Sequence, residues 1–347
     1  MVWLWYNYFQ QKQRWLTVMK KYLIDSAEKV NINNNDYYFR FRSQNSSNPV
    51  VLFLHGGCGA ADRPFIMKWN SELAEHATIV AWDQRGAGLA YNRKMAKTEV
   101  LTKDLYINDL HNVVQYLKKR FNKEKIILVG HSFGSQLGVW YIQKFPEDVE
   151  CYVGIGQVVD AVRNEAISFE FTLNEAKKRN DKRAIKALQK IGPPVNGFYK
   201  DDKMLLQRNY LNKMGGILYG KYGNSVINTL PKIPCMFKEY SLFTMLKYVI
   251  ANEWCLSQPL GHEKVYFLNE VKELSVPVYL FMGKYDYNTV SELAREWLEN
   301  LEAPHKEFFE FEKSGHTPQW EEAEKFNELF VKQVLKVKNS REIIERE

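Results

Sequence analysis

A serine hydroxyl, an imidazole and a carboxylate can together carry out acyl transfer, and this chain of 347 residues holds all three in workable order. The serine is Ser132, in Gly130-His131-Ser132-Phe133-Gly134. Ile126 to Val129 precede it as a short apolar, β-branched run that predicts a buried strand. Ser135 to Ile142 follow with the pattern of a helix lying on a sheet. Strand, sharp turn and helix with serine at the tip make the G-x-S-x-G nucleophile elbow. The two glycines answer a steric demand, because a β-carbon at either place would meet the neighbouring chain. The strained tip aims the hydroxyl out of the sheet, and the new helix points free backbone N–H groups toward the same spot.

A serine needs a base near neutral pH, and the base needs a partner to orient it. In a parallel sheet such groups gather beyond the carboxyl ends of the strands, and that rule sorts the seven histidines. His316 follows the predicted strand Lys306 to Phe311, whereas His305 precedes it, at the wrong end. His76 and His111 fall within helical patterns. His131 adjoins the serine and points elsewhere, His55 braces a glycine loop, and His262 lies in a helix-rich stretch. His316 is therefore the expected base. Asp286 follows the strand Val276 to Met282 and lies between serine and histidine in the chain, which is the α/β-hydrolase order. Asp83, followed by Gln84-Arg85-Gly86-Ala87-Gly88, is expected to fix its own loop through a salt bridge or turn contact. Asp160 and Glu253 lie in or near the helix-rich stretch.

The developing oxyanion needs two preorganised donors. The amide of Phe133 is one. The other is expected from the loop His55-Gly56-Gly57-Cys58-Gly59, with Gly57 first and Cys58 close behind. Cys58 reads as a small buried residue, since no separate base is evident for it.

These groups require a scaffold of alternating strands and helices. Val50 to Leu54, Thr78 to Trp82, Ile126 to Val129, Cys151 to Ile155, Val276 to Met282 and Lys306 to Phe311 read as strands. Lys103 to Phe121, Val290 to Leu301 and a long segment from about Gln319 read as helices. That rhythm predicts an α/β fold, a mainly parallel sheet covered by helices on both faces. Residues 30–159 and 275–347 would form the core, and residues 160–274, helical and loop-rich, an inserted helical lid. Val30 to Ile32 and Tyr37 to Phe41 flank a polar turn, a hairpin pattern. Residues 1–29 read as an N-terminal helical extension, with Trp5, Phe9, Leu16, Met19 and Leu23 on one face. That segment is too short and too polar to span a bilayer and makes a poor secretory signal. It packs on the body or another subunit, or rests on a membrane surface.

Hydrophobic content of 45% and charged content of 26% suit a globular protein, and the net charge of +7 concentrates around Lys177 to Lys190. That stretch reads as the wet face of an amphipathic helix, and no nucleic-acid motif accompanies it. The four cysteines, Cys58, Cys151, Cys235 and Cys255, lack zinc or disulfide spacing, so no metal or cofactor is expected and a reducing, cytoplasmic setting fits. The oligomeric state has no signature in the sequence.

Together, the motifs resemble the proline iminopeptidase family of serine peptidases within the α/β-hydrolase fold. His55-Gly56-Gly57-Cys58-Gly59 looks like the family's H-G-G-P-G loop, with cysteine for proline. Asp83 to Gly88 looks like its D-Q-R-G-x-G, and Ser132, Asp286 and His316 fall on its triad positions. The resemblance runs from about Pro49 to Glu321, with close matches only outside residues 160–274. It implies an acyl-enzyme route and removal of a residue from small peptides or aminoacyl amides. It also implies a carboxylate, here Glu253, for the substrate's free amine. The elbow departs from the family, with His131 and Phe133 around the serine where a tryptophan often follows, and so also resembles esterases. A carboxylesterase on small apolar esters and a non-catalytic ligand-binding protein are the other readings.

Overall fold

The computed structural model describes residues 22–33, 35–200, 203–239 and 241–336. An eight-stranded sheet runs through it in the order β1-β2-β4-β3-β5-β6-β7-β8. The strands are β1 (Ile24–Ile32), β2 (Asn35–Ser43), β3 (Val50–Leu54), β4 (Thr78–Asp83), β5 (Ile126–His131), β6 (Val149–Ile155), β7 (Val278–Gly283) and β8 (Lys306–Phe311). β2 is antiparallel to both β1 and β4, and every other pairing is parallel. β3, β4, β5 and β7 are buried along their whole length, as unbroken apolar runs in a parallel sheet should be.

Side chains alternate across the sheet and feed two cores. Leu52, Leu54, Val80, Trp82 and Leu128 face one side, with Leu110 and Val113 from the helix Lys103–Phe121 and Trp297 from Ser291–Asn300. Val51, Phe53, Ile79, Ala81 and Ile127 face the other, with Ile66 from the helix Arg63–Trp69 and Phe326 near the C-terminus. These helices are α1 (Arg63–Trp69), α2 (Lys103–Phe121) and α3 (Phe133–Lys144), then α4 (Ala161–Lys178), α5 (Lys182–Ile191), α6 (Met204–Lys213), α7 (Gly220–Ile227) and α8 (Leu242–Leu256), then α9 (Ser291–Asn300), α10 (Pro318–Glu321) and α11 (Ala323–Leu329). α4 to α8 lie between β6 and β7, and part of that region has a small apolar core of its own, including Phe169, Ala184, Leu188 and Met214.

Three expectations need correction. Residues 24–29 belong to strand β1, paired with β2 through Ile32 opposite Asn35, and the hairpin turns at Asn33 with φ +49°. The rest of the expected N-terminal helix, residues 1–21, lies outside the described residues. The basic stretch is two helices, because Asn180 takes a positive φ between α4 and α5. The C-terminal segment is also broken at Glu322, whose carboxylate accepts from the Lys313 amide at 2.8 Å and the Ser314 hydroxyl at 2.7 Å. No helix among the described residues is long and apolar enough to cross a membrane.

Candidate active site

β5 ends at the centre of the sheet, and Ser132 stands at its tip with φ +53° and ψ −120°. A non-glycine residue held there stores on the order of 1–3 kcal/mol, so its surroundings must impose it. The Ser132 amide donates to the Ile155 carbonyl at 2.9 Å, and its carbonyl accepts from the Ser135 amide at 2.8 Å and hydroxyl at 2.6 Å. The glycines are sterically required. A β-carbon on Gly130 would lie 2.4 Å from the Gly134 carbonyl oxygen, and one on Gly134 would lie 2.1 Å from that of Leu54.

Asp286 and His316 sit in the loops after β7 and β8, both buried. His316 Nδ1 lies 2.8 Å from Asp286 Oδ2 and 3.1 Å from Thr289 Oγ1. Asp286 also accepts from the Asn288 and Thr289 amides, each at 2.9 Å, and from the Thr289 hydroxyl at 2.8 Å. With Nδ1–H committed to a carboxylate, Nε2 carries the lone pair. The imidazole leans on the turn after β6: a β-carbon on Gly156, next to Ile155, would lie 2.8 Å from His316 Cε1. From the other side His131 Nε2 meets the His316 carbonyl at 3.0 Å, with the two rings 4.9 Å apart. The turn after β6, through Gly156, and the serine turn, through His131, thus meet the histidine loop from two sides.

The other nearby histidines are held neutral. Burial, and next the His316 ring, lowers His131 to about 3. Burial lowers His55 to about 4, and its ring accepts from the Gln84 amide through Nε2 at 3.1 Å while Nδ1 meets the Gly56 carbonyl at 3.0 Å. His55 therefore braces the loop after β3.

In that loop Gly57 has φ +39°, and Phe133 opens α3, so its amide belongs to the first turn, where helices lack internal acceptors. α8 covers the loop. Asn252 lies over it, its Nδ2 3.5 Å from where a Gly57 β-carbon would be and its Cα 2.9 Å from one on Gly59. Glu253, the expected amine partner, is exposed, one step round the helix from Asn252. Cys58 is buried, its thiol pointing at the Cys255 carbonyl at 3.2 Å. A cavity of about 850 Å3 opens behind the acid loop, walled by Phe171, Leu218, Tyr219, Tyr285 and Tyr287, and neither Ser132 nor His316 lines it. No group of acidic, histidine and cysteine side chains among the described residues could hold a metal ion.

Sequence reasoning missed Thr289, Asn252 and Glu321, the last of which bonds the backbone around His316. Thr289, close to Asp286 in the chain, had a local signal: a short hydroxyl side chain in an acid's own turn often bonds it.

A strained serine between two glycines at the carboxyl edge of a mostly parallel sheet, with a buried histidine–carboxylate pair in the loops after β7 and β8, defines a class of fold and site. The chain belongs to the alpha/beta hydrolase fold family, whose model matches residues 49–323. It is 29% identical to the probable aminopeptidase YbaC of Bacillus subtilis (strain 168) over 314 residues, 89% of this chain and 96% of that protein. The proline iminopeptidase of Mycobacterium smegmatis has a similar fold, with a TM-score of 0.61 at 14% identity over 90% of this chain and 98% of that one. A thermophilic esterase from Thermogutta terrifontis is similar too, with a TM-score of 0.59 at 16% identity over the same shares, 90% and 98%.

Proposed function

We propose that this chain is a serine hydrolase that works through an acyl-enzyme and acts most like a proline iminopeptidase, releasing a residue from small peptides or aminoacyl amides. His316 Nε2 takes the proton of Ser132 as the hydroxyl attacks the carbonyl. Asp286 keeps the imidazole in the right tautomer and steadies its charge. The amides of Phe133 and Gly57 receive the oxyanion. The leaving amine takes the proton from His316, and water then frees the acyl group by the reverse roles. The helical region of residues 160–274 acts as the lid, with α8 over the glycine loop. The reaction calls for no metal or cofactor, and the buried free thiols Cys58, Cys151 and Cys255 suit a reducing compartment such as the cytoplasm.

The observation that carries this reading is Ser132 held at φ +53° on a sheet whose later strands β7 and β8 lead into a buried pair, the His316 Nδ1 2.8 Å from the Asp286 carboxylate. A fluorophosphonate probe should label the wild type at Ser132 and leave Ser132→Ala unlabelled, and the substitution should lower kcat by at least about 10³-fold. An unlabelled wild type would instead mark a binding protein on this fold. The exposure of Glu253 favours a second reading, a carboxylesterase on small apolar esters, because the residue over Gly57 is an amide and not a carboxylate. Aminoacyl amides, their N-blocked forms and short esters separate the two. Turnover indifferent to blocking the amine rules out the peptidase.

A further inference from the structure

Glu321 closes α10, and its side chain is buried. Oε2 accepts from the Gly315 amide at 3.1 Å, the Thr317 amide at 3.2 Å and the Thr317 hydroxyl at 3.0 Å. Those amides flank His316 on both sides. Oε1 accepts from the Tyr219 amide at 2.7 Å, which comes from the helical region between β6 and β7. All four donors are uncharged and each finds a lone pair on the carboxylate, so together they favour its ionised form against the burial that pushes its pKa up.

Tyr219 belongs to a short strap, Gly216 to Tyr219, stitched to the site at other points. The His316 amide donates to the Ile217 carbonyl at 2.6 Å, and the Tyr287 amide, beside Asp286, donates to the Gly216 carbonyl at 2.9 Å. The fit leaves no slack, since a β-carbon on Gly315 would lie 2.2 Å from the Ile217 oxygen. Rings reinforce it: Tyr219 stacks on Tyr285 at 3.8 Å and Phe171 on Tyr287 at 3.6 Å.

We propose that Glu321 is a positioning residue that fixes the backbone around His316 and, through Tyr219, makes the placing of the imidazole depend on the strap's being seated. The proposal rests on the reading of His316 as the base. Its physical core is the division of labour between the two oxygens, one for the histidine loop and one for the strap.

Glu321→Gln tests this division. An amide has one acceptor oxygen, which three donors draw to the histidine side, so its NH2 would face the Tyr219 N–H. The substitution should lower kcat about 5- to 50-fold with KM within about twofold, because a displaced base loses rate more than binding. Removing the negative charge should also move the acid limb of kcat/KM to lower pH, a change that simple loosening of the fold does not produce. Tyr219→Pro deletes the strap's N–H while keeping the charge, and Tyr219→Ala loses the ring but keeps the N–H. The proline variant should lose several-fold more kcat than the alanine variant, with the acid limb in place. If Glu321→Gln does not fold, this pair decides. Equal kcat in the two Tyr219 variants, or a Glu321→Gln enzyme with wild-type kcat and pH profile, overturns the proposal. Fluorophosphonate labelling of the wild type is measured alongside, so failure of the underlying reading shows there and not in the variants.

Discussion

Cys58 occupies the place of the proline in the resembled H-G-G-P-G loop, next to a candidate oxyanion donor, and a thiol there invites comparison with Ser132 as nucleophile. Its surroundings argue otherwise. Burial raises it to about 12, its hydrogen points at the Cys255 carbonyl, and no imidazole is among its hydrogen-bond partners. With a pKa near 12 the thiolate is on the order of 10⁻⁴ of the population at pH 8, and the thiolate is the reactive form. Native protein treated with iodoacetamide at pH 8 should therefore keep Cys58 unmodified by peptide mass mapping, and Cys58→Ala should keep kcat within about threefold while lowering the melting temperature. Rapid alkylation with parallel loss of activity would return the thiol to the mechanism. Ser132 differs in that its backbone strain is imposed by close neighbours and its turn touches the His316 loop.

At the level of elements, the loop after β4 shows what holds the site's frame. Asp83 closes β4, and Arg63 on α1 meets it in two parallel bonds of 2.7 Å and 2.9 Å, both side chains almost wholly buried. Asp83 also accepts from the Leu89 amide at 2.8 Å. Its neighbour Gln84 bonds His55 through both the ring and the carbonyl, so the loop carrying Gly57 rests on the same frame. Asp83→Asn removes the carboxylate charge that two parallel bonds hold against a buried guanidinium, so it should cost about 3–5 kcal/mol in a urea unfolding curve. A loss below about 1 kcal/mol would mean that water reaches Arg63. The same loop shows what the sequence discloses. Its glycines and acid carry a local pattern, as do the elbow and the order of Ser132, Asp286 and His316, and local patterns are legible. The first part of β1, residues 24–29, was hidden because alternate residues, among them Asp25 and Lys29, face outward, and Asp25 is held by Arg40 and Arg42 across the hairpin. Asn252 and Glu253 differ by one helical step of about 100°, and apolar periodicity alone does not say which of two polar neighbours faces a loop from a distant part of the chain. Glu321 and Tyr219 lie 102 residues apart, and their bond joins two segments that only tertiary packing brings together.

Over the whole molecule, buried titratable groups pull stability in opposite directions with pH. His55 and His131 are lowered to about 4 and about 3, against about 6.5 in an unfolded chain. Below pH 6.5 the unfolded state binds protons that the folded state refuses, so their contribution is complete above that pH and lost as pH falls toward 4 and then 3. Asp62 does the reverse. It sits buried at the start of α1 with Oδ1 unpartnered, and burial first, then the charge of Asp83, raises it to about 8, with Arg63 pulling the other way. The folded state holds a proton there that the unfolded state releases near pH 4, so this contribution is present below that pH and lost as pH rises to about 8. Maximum stability should fall between these slopes, at about pH 6–7. Asp62→Asn isolates the alkaline slope, since asparagine keeps the shape and never ionises. Its melting temperature should match the wild type within about 2 °C at pH 4, where the native carboxyl is protonated and the unfolded one still about half so, and exceed it by several degrees at pH 8.5, where the native carboxylate must be charged without a partner on Oδ1. A difference equal at both pH values would place the ionisation of Asp62 outside that interval and leave the histidines as the source of the acid slope alone.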